Sequence, residues 1–214
     1  MDLQNDRTIV FYTASMESPE FERKIIEDLK KKAGNIPIIS VSRKPLDLGT
    51  NICVGETPVS YTGEWKQLLI GLKAAKTKYV IAAEADCLYP EEYFTFTPTE
   101  EKMVYNYNNI YLVWTKHNAF WRKTGYCEGA QMCDREYWIE RLEPLLPKDW
   151  TPYERIAENM LVGGIFPKRR EFTGNPVVTF KTGNGVSVRS TYINNRLKDI
   201  DYWGNIYELK KKYL

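Results

Sequence analysis

The chain has 214 residues, 43% hydrophobic and 27% charged, with a net charge of +2. That length and balance suit one globular domain with its own core, and with so small a net charge no strong electrostatic footprint demands nucleic acid. A polar, acidic opening, no apolar run near the ~20 residues of a membrane span and no CxxC cysteine spacing lead us to expect a cytoplasmic chain. It should have reduced thiols and lack an export signal, membrane contact or a zinc site.

Residues 8–13 are a short, β-rich apolar run that reads as a buried first strand. Ser18-Pro19-Glu20 then starts a helix, with Ser18 as cap; Phe21, Ile25, Ile26 and Leu29 give it one apolar face and Gly34-Asn35 stops it. Residues 37–42 form a second strand, and strand–helix–strand predicts a parallel sheet. Residues 43–61 read as a polar connection kept ordered by its embedded apolar residues. Trp65, Leu68, Leu69, Leu72 and Ala75 place a helix over 63–75, and residues 78–83 are a third buried strand ending at Glu84-Ala85-Asp86. Residues 103–107 and 110–114 are short β-type runs around Asn108-Asn109, which reads as a hairpin turn. A strand at 119–122 follows, then helices over 134–146, capped by Asp134, and 152–162. Residues 177–180 are a last strand before Lys181-Thr182-Gly183-Asn184-Gly185 and a polar tail. The lysine runs at 30–32 and 210–212 read as a solvated helix face and a solvated tail.

In an open parallel sheet, ligands lie in the crevice beyond the carboxyl ends of the strands. Three such ends should meet at one cleft: Thr13-Ala14-Ser15, Ser40-Val41-Ser42-Arg43 and Glu84-Ala85-Asp86. Carboxylates one residue apart on extended chain face the same side. They suit a hard divalent cation that shares its other positions with substrate phosphates and offsets charge on a diphosphate leaving group. A lone Glu-x-Asp is equally a helix cap or an ion-pair partner; the buried strand before it gives this one its weight. The sole histidine, His117, leaves no Ser-His-Asp hydrolase.

Residues 71–86, GLKAAKTKYVIAAEAD, resemble the segment entering the Asp-x-Asp motif of A-type fold (GT-A) glycosyltransferases, close to family 2 and to the compact kind encoded by bacteriophages. Element order is similar over 8–138, and the specific likeness lies at 71–90. The resemblance implies an α/β fold with a Rossmann-like, mostly parallel central sheet flanked by helices and an antiparallel β/helical acceptor-side half. Residues 1–214 would form one domain, with 1–100 binding the nucleotide-sugar and 101–214 meeting the acceptor. It further implies that Thr13, Ala14, Ser15, Ser42 and Arg43 hold the nucleoside, that Asp86 ligates Mn²⁺ or Mg²⁺, and that Glu84 stands for the family's first Asp, as ligand or ribose-side group. Gly129-Ala130-Gln131-Met132 resembles the family's acceptor-side segment. An inverting reaction needs a carboxylate base; the family's usual Glu-Asp pair is absent, and Glu158, Glu154 and Glu128 are the positional candidates. A retaining reaction needs none. Where relatives place a histidine ligand near the end, this chain has glycines and amides that can cradle phosphate, with Lys181 or Arg189 adding charge, or a plain β-turn. His117 is the one histidine available as a further ligand, or it is structural.

The expected activity is metal-dependent transfer of a sugar from a nucleotide-sugar, UDP-hexose by family habit, to an acceptor hydroxyl on a hydroxymethylated DNA base or a glycan. Tyr105, Tyr107, Tyr111, Trp114 and Trp121 are placed either to stack on bases or to fill the core. Two other readings stand beside it. A nucleotidyltransferase that builds a sugar nucleotide would want a Gly-rich basic loop after the first strand, which is missing. A non-catalytic binding module would not need Glu84 and Asp86 intact.

Overall fold

The structure, a computed structural model, describes residues 6–150, 168–185 and 192–214. In chain order the elements are β1 (Arg7–Thr13), α1 (Pro19–Ala33), β2 (Ile38–Ser42), β3 (Thr50–Cys53), α2 (Tyr61–Ala74), β4 (Tyr79–Glu84), β5 (Cys87–Leu88) and α3 (Glu91–Thr95). Then come β6 (Val104–Tyr107), β7 (Ile110–Trp114), β8 (Trp121–Arg122), β9 (Gln131–Asp134), α4 (Arg135–Leu142), β10 (Arg169–Phe172), β11 (Val177–Lys181), β12 (Asp199–Ile200), β13 (Gly204–Asn205) and α5 (Ile206–Tyr213).

The main sheet has seven strands in the order β10-β6-β9-β4-β1-β2-β3. Only β9 runs against the others, antiparallel to both β4 and β6. This is the expected α/β architecture, a mostly parallel sheet flanked by helices. Residues of β1 alternate between its two faces. Ile9 and Phe11 join Ile26, Leu29, Tyr89 and Tyr93 on one side, and Val10 and Tyr12 join Trp65, Leu68, Leu72 and Trp138 on the other. Both cores are closed by capped helices: Ser18 accepts from Phe21 N at 3.3 Å, Ser60 from Gly63 N at 3.0 Å and Asp134 from Tyr137 N at 3.1 Å. The register sets Thr13 opposite Ser42 and Tyr12 opposite Glu84, so the ends of β1, β2 and β4 finish level.

A second sheet, β5-β11-β7-β8, packs beside this edge. It overturns the hairpin expected at Asn108-Asn109. β6 pairs with β9 and β10 in the main sheet, whereas β7 pairs with β11 and β8 in the small one. The two asparagines are a crossover, held by Arg122 on the Asn108 carbonyl at 2.6 Å and by Asn108 N on the Phe172 carbonyl at 3.1 Å. The connection over 43–61 is likewise not all loop, since β3 adds a parallel edge strand to β2. The polar tail contains α5, whose Ile206, Leu209 and Tyr213 pack on Phe21, Ile25 and Phe180.

Some of the lysines expected to be solvated are anchored. Lys32 is paired with Asp28 at 2.7 Å and lies 4.0 Å from the Trp203 ring, and Lys210 donates to the Thr115 carbonyl at 2.7 Å. Tyr105 and Tyr107 are core residues, and Trp121 is buried. The expected helix over 152–162 lies outside the described residues. Among the described residues no helix is long and apolar enough to cross a membrane.

Gly71 is the contact point of α2 on β1: a Cβ there would lie 2.3 Å from Val10 Cγ1. Gly71→Ala is expected to destabilise the fold by about 1–3 kcal/mol through overpacking, read as a lower urea midpoint.

Candidate active site

The turn after β1 is built from its own side chains. Thr13 Oγ1 donates to Glu22 at 3.0 Å and accepts from Ser15 N at 3.0 Å, while Gln67 donates to the Thr13 carbonyl at 2.8 Å. Ser15 takes a left-handed φ of 52° and its hydroxyl accepts from Arg43 N at 3.2 Å. The Arg43 guanidinium reaches the Ala14 carbonyl at 3.2 Å and Glu56 at 2.9 Å. Ser42 Oγ donates to the Lys44 carbonyl at 2.6 Å and accepts from Asn51 at 2.9 Å. Ser15, Ser42 and Arg43 therefore brace this edge, and Thr13 and Ala14 line the cavity it frames.

At the end of β4 the Glu84 carboxyl is held on three sides. Its Oε1 accepts from the Tyr12 hydroxyl at 2.8 Å, its Oε2 lies 4.0 Å from Cys87 Sγ, and its remaining face rests on Gly129. A Cβ at position 129 would lie 2.4 Å from Glu84 Cδ. Tyr89 locks the pair by accepting from Glu84 N at 2.9 Å and donating to the Gly129 carbonyl at 2.6 Å. Asp86 instead belongs to β11: its carbonyl accepts from Phe180 N at 2.7 Å, and its Oδ2 receives Thr179 at 3.3 Å and Lys181 at 3.4 Å. The letters Glu-Ala-Asp thus span two sheets.

Between these strand ends lies a cavity of about 510 Å³ lined by Thr13, Ala14, Glu84, Asp86, Glu128 and Lys181, together with Glu17, Tyr61, Glu64, Lys123, Tyr126 and Cys127. Five carboxyl groups face it against two lysines. Burial, then repulsion from Asp86, pushes Glu84 from 4.5 up to about 8. Burial, then Glu84 and Asp86, drives Glu64 well above the carboxylate range. Burial raises Glu17 as well. For Lys181 burial works against the charge, but Asp86 foremost among its neighbours outweighs it and the pKa rises. The cavity thus holds more acid than its lysines neutralise. Ala85 and Asp86 form a turn rather than extended chain, so strand alternation does not set the two carboxylates side by side as expected. Among the described residues the ligand atoms that lie within 4.8 Å of one another are those of Glu84, Cys87 and Cys127, without Asp86.

Glu154, Glu158 and Arg189 lie outside the described residues. His117 stacks edge-on to Trp121, with ring centroids 6.2 Å apart, and is not part of the cavity lining. Sequence reasoning passed over Glu64, which sits in the first turn of α2 where an acidic residue is ordinary on helix-dipole grounds. It also passed over the pairing of Cys87 with Cys127, which only the tertiary fold creates.

No protein-family model matches the chain, and no curated protein matches it in sequence. Among solved structures, the inositol-1-phosphate CTP transferase from T. maritima superimposes over 98% of this chain and 96% of its own, with TM-score 0.50 at 11% identity. The two share a fold. A glycosyltransferase involved in the glycosylation of the major capsid of PBCV-1 matches at TM-score 0.48 and 13% identity, over 78% of this chain and 80% of its own. The bifunctional IspDF from Campylobacter jejuni matches at TM-score 0.44 and 10% identity, over 79% of this chain, which spans half the length of that protein.

A carboxyl raised on folding favours the folded state below its unfolded pKa and loses that advantage as pH rises toward the folded value. Stability is therefore expected to fall between pH 4.5 and about 8 on account of Glu84. Glu84→Gln should flatten that slope and raise the melting temperature at pH 8.5, as thermal unfolding across pH would show.

Proposed function

We propose that this chain is a glycosyltransferase that uses a nucleotide-sugar donor, UDP-hexose by preference, with its diphosphate seated over Asp86. The observation that carries this reading is the convergence of the ends of β1, β4 and β11 on one acidic cavity, with Lys181 beside Asp86. The likeness of 71–90 to the A-type segment supports it. In this reading Thr13 and Ala14 border the nucleoside, with Ser15, Ser42 and Arg43 holding the edge they depend on. Glu84 and Asp86 hold Mn²⁺ or Mg²⁺, which when bound supplies positive charge to the departing diphosphate. Lys181, fixed beside Asp86, adds a second positive group on the same side, and Arg189 is proposed as another.

The acceptor hydroxyl must lose a proton if configuration inverts. Glu128, on the cavity wall, is the described carboxylate proposed to take it; Glu154 and Glu158 are the further candidates. Glu64 is less suited, because burial and its acidic neighbours push its pKa well above the usual carboxylate range.

A nucleotidyltransferase is the second reading, favoured by the whole-chain overlap with a CTP transferase fold. Against it stands the turn after β1, Ala14-Ser15-Met16-Glu17, which brings an acid rather than basic residues to the cavity where a triphosphate would need them.

One assay separates the two. Incubated with UDP-sugars and Mn²⁺, the protein should release UDP. Asp86→Asn should lower the rate by about 10²–10³-fold, and Glu128→Gln should depress kcat with little change in donor KM. Pyrophosphate release from a nucleoside triphosphate and a sugar phosphate, without UDP release, would replace this proposal with the second reading.

The acceptor is proposed to be a hydroxymethylated base in DNA or a glycan. Binding to hydroxymethylated duplex that weakens steeply with salt would select DNA. Indifference to the duplex would select the glycan.

A further inference from the structure

Behind the Glu84 carboxyl lie two thiols that the transfer reaction does not use. Ligand atoms of Glu84, Cys87 and Cys127 all fall within 4.8 Å of one another. Cys87 Sγ is 4.0 Å from Glu84 Oε2 and donates to Asp86 Oδ1 at 3.2 Å. A tetrahedral zinc ion, with Zn–S about 2.3 Å and Zn–O about 2.0 Å, sets its ligand atoms roughly 3.5–3.8 Å apart. The 4.0 Å between Cys87 Sγ and Glu84 Oε2, and the 4.8 Å limit on every pair, stand slightly above that value, so the three side chains need only close in on the ion.

The placement also provides a route in. Cys87 is 1% exposed on β5 and forms the floor, while Cys127 and Glu84 line the cavity and leave one side of the cluster facing it. The two cysteines come from segments forty residues apart in sequence, so nothing local requires them to meet.

We propose that Glu84, Cys87 and Cys127 form a site for a thiophilic divalent cation, Zn²⁺ above all, with its fourth position open to the cavity. The proposal meets the transferase reading at Glu84, which both sites use, and at Asp86, whose carboxylate accepts from the Cys87 thiol. Hard ions such as Mg²⁺ take oxygen ligands and gain little from thiols, whereas Zn²⁺ gains most from them. Zinc therefore draws Glu84 toward the floor and competes with the hard cation, acting as an inhibitor of turnover. Both thiols give up their protons to solvent when the ion binds.

The test is a titration of the metal-free, reduced chain with Co²⁺ as spectroscopic probe and with Zn²⁺ against a chromophoric zinc chelator. The expected result is one equivalent bound, with a thiolate-to-cobalt charge-transfer band. Cys87→Ser/Cys127→Ser should lose the band and bind Zn²⁺ at least about 100-fold more weakly; Cys127→Ala alone, at the cavity wall, serves if the double variant unfolds. Absence of the band in the unaltered protein, or equal zinc affinity in a folded cysteine variant, overturns the proposal. Asp86→Asn keeps the two readings apart, since it should lose Mn²⁺-dependent transfer and keep the cobalt band. UDP release that needs no metal would sink the transferase reading and leave the zinc site standing.

Discussion

β1 pairs in parallel with β2 and β4 at once, and that double pairing organises the site. All seven of its residues are buried, and Ile9, Val10, Phe11 and Tyr12 divide between two cores on opposite faces of the sheet. Because parallel strands share a direction, their carboxyl ends open on one edge. There Thr13, Ser42 and Glu84 finish within a residue of each other, and the cavity exists because the strands stop together while their connections fold away. The braces at Thr13, Ser15 and Arg43 hold that edge open through hydrogen bonds between side chains and backbone.

The second sheet turns this edge into a charged site. β11 supplies Thr179 and Lys181 to the Asp86 carboxylate and Phe180 N to its carbonyl, so one aspartate joins the two sheets. Behind β11, Phe180 packs on Phe21 of α1 and on Tyr213 of α5. Crowding carboxyl groups against so few lysines is unfavourable to the fold taken alone. Such local strain in charge is concentrated at functional sites, and the buried apolar strands around it supply the offsetting stability.

The first half of the fold was readable because its signals are local. A capping serine, a proline in the first turn, a stripe of Phe21, Ile25, Ile26 and Leu29, and apolar runs at 8–13 and 78–83 each specify an element without reference to distant residues. The misreadings occurred where partners lie far off in sequence. Thr50–Cys53 is a half-exposed edge strand without alternation, so only its pairing with β2 reveals it. Asn108-Asn109 carries a genuine turn composition, but β6 and β7 find better partners in different sheets. The same holds within the site. Glu84 and Asp86 were readable from the strand before them, whereas Glu64, Glu17 and Cys127 reach the cavity, with Cys87 behind it, through tertiary packing, and cysteine spacing alone says nothing about thiols that the fold brings together.

The seat of Glu84 on Gly129 ties two positions forty-five residues apart into one unit. The carboxyl fills the space a side chain at 129 would need, and Tyr12 and Tyr89 hold both partners in place. A side chain added at 129 would therefore act on the carboxyl at 84 before it acts on anything else. Shortening Glu84 would not relieve the contact, since its Cγ would itself lie 2.7 Å from a Cβ at 129.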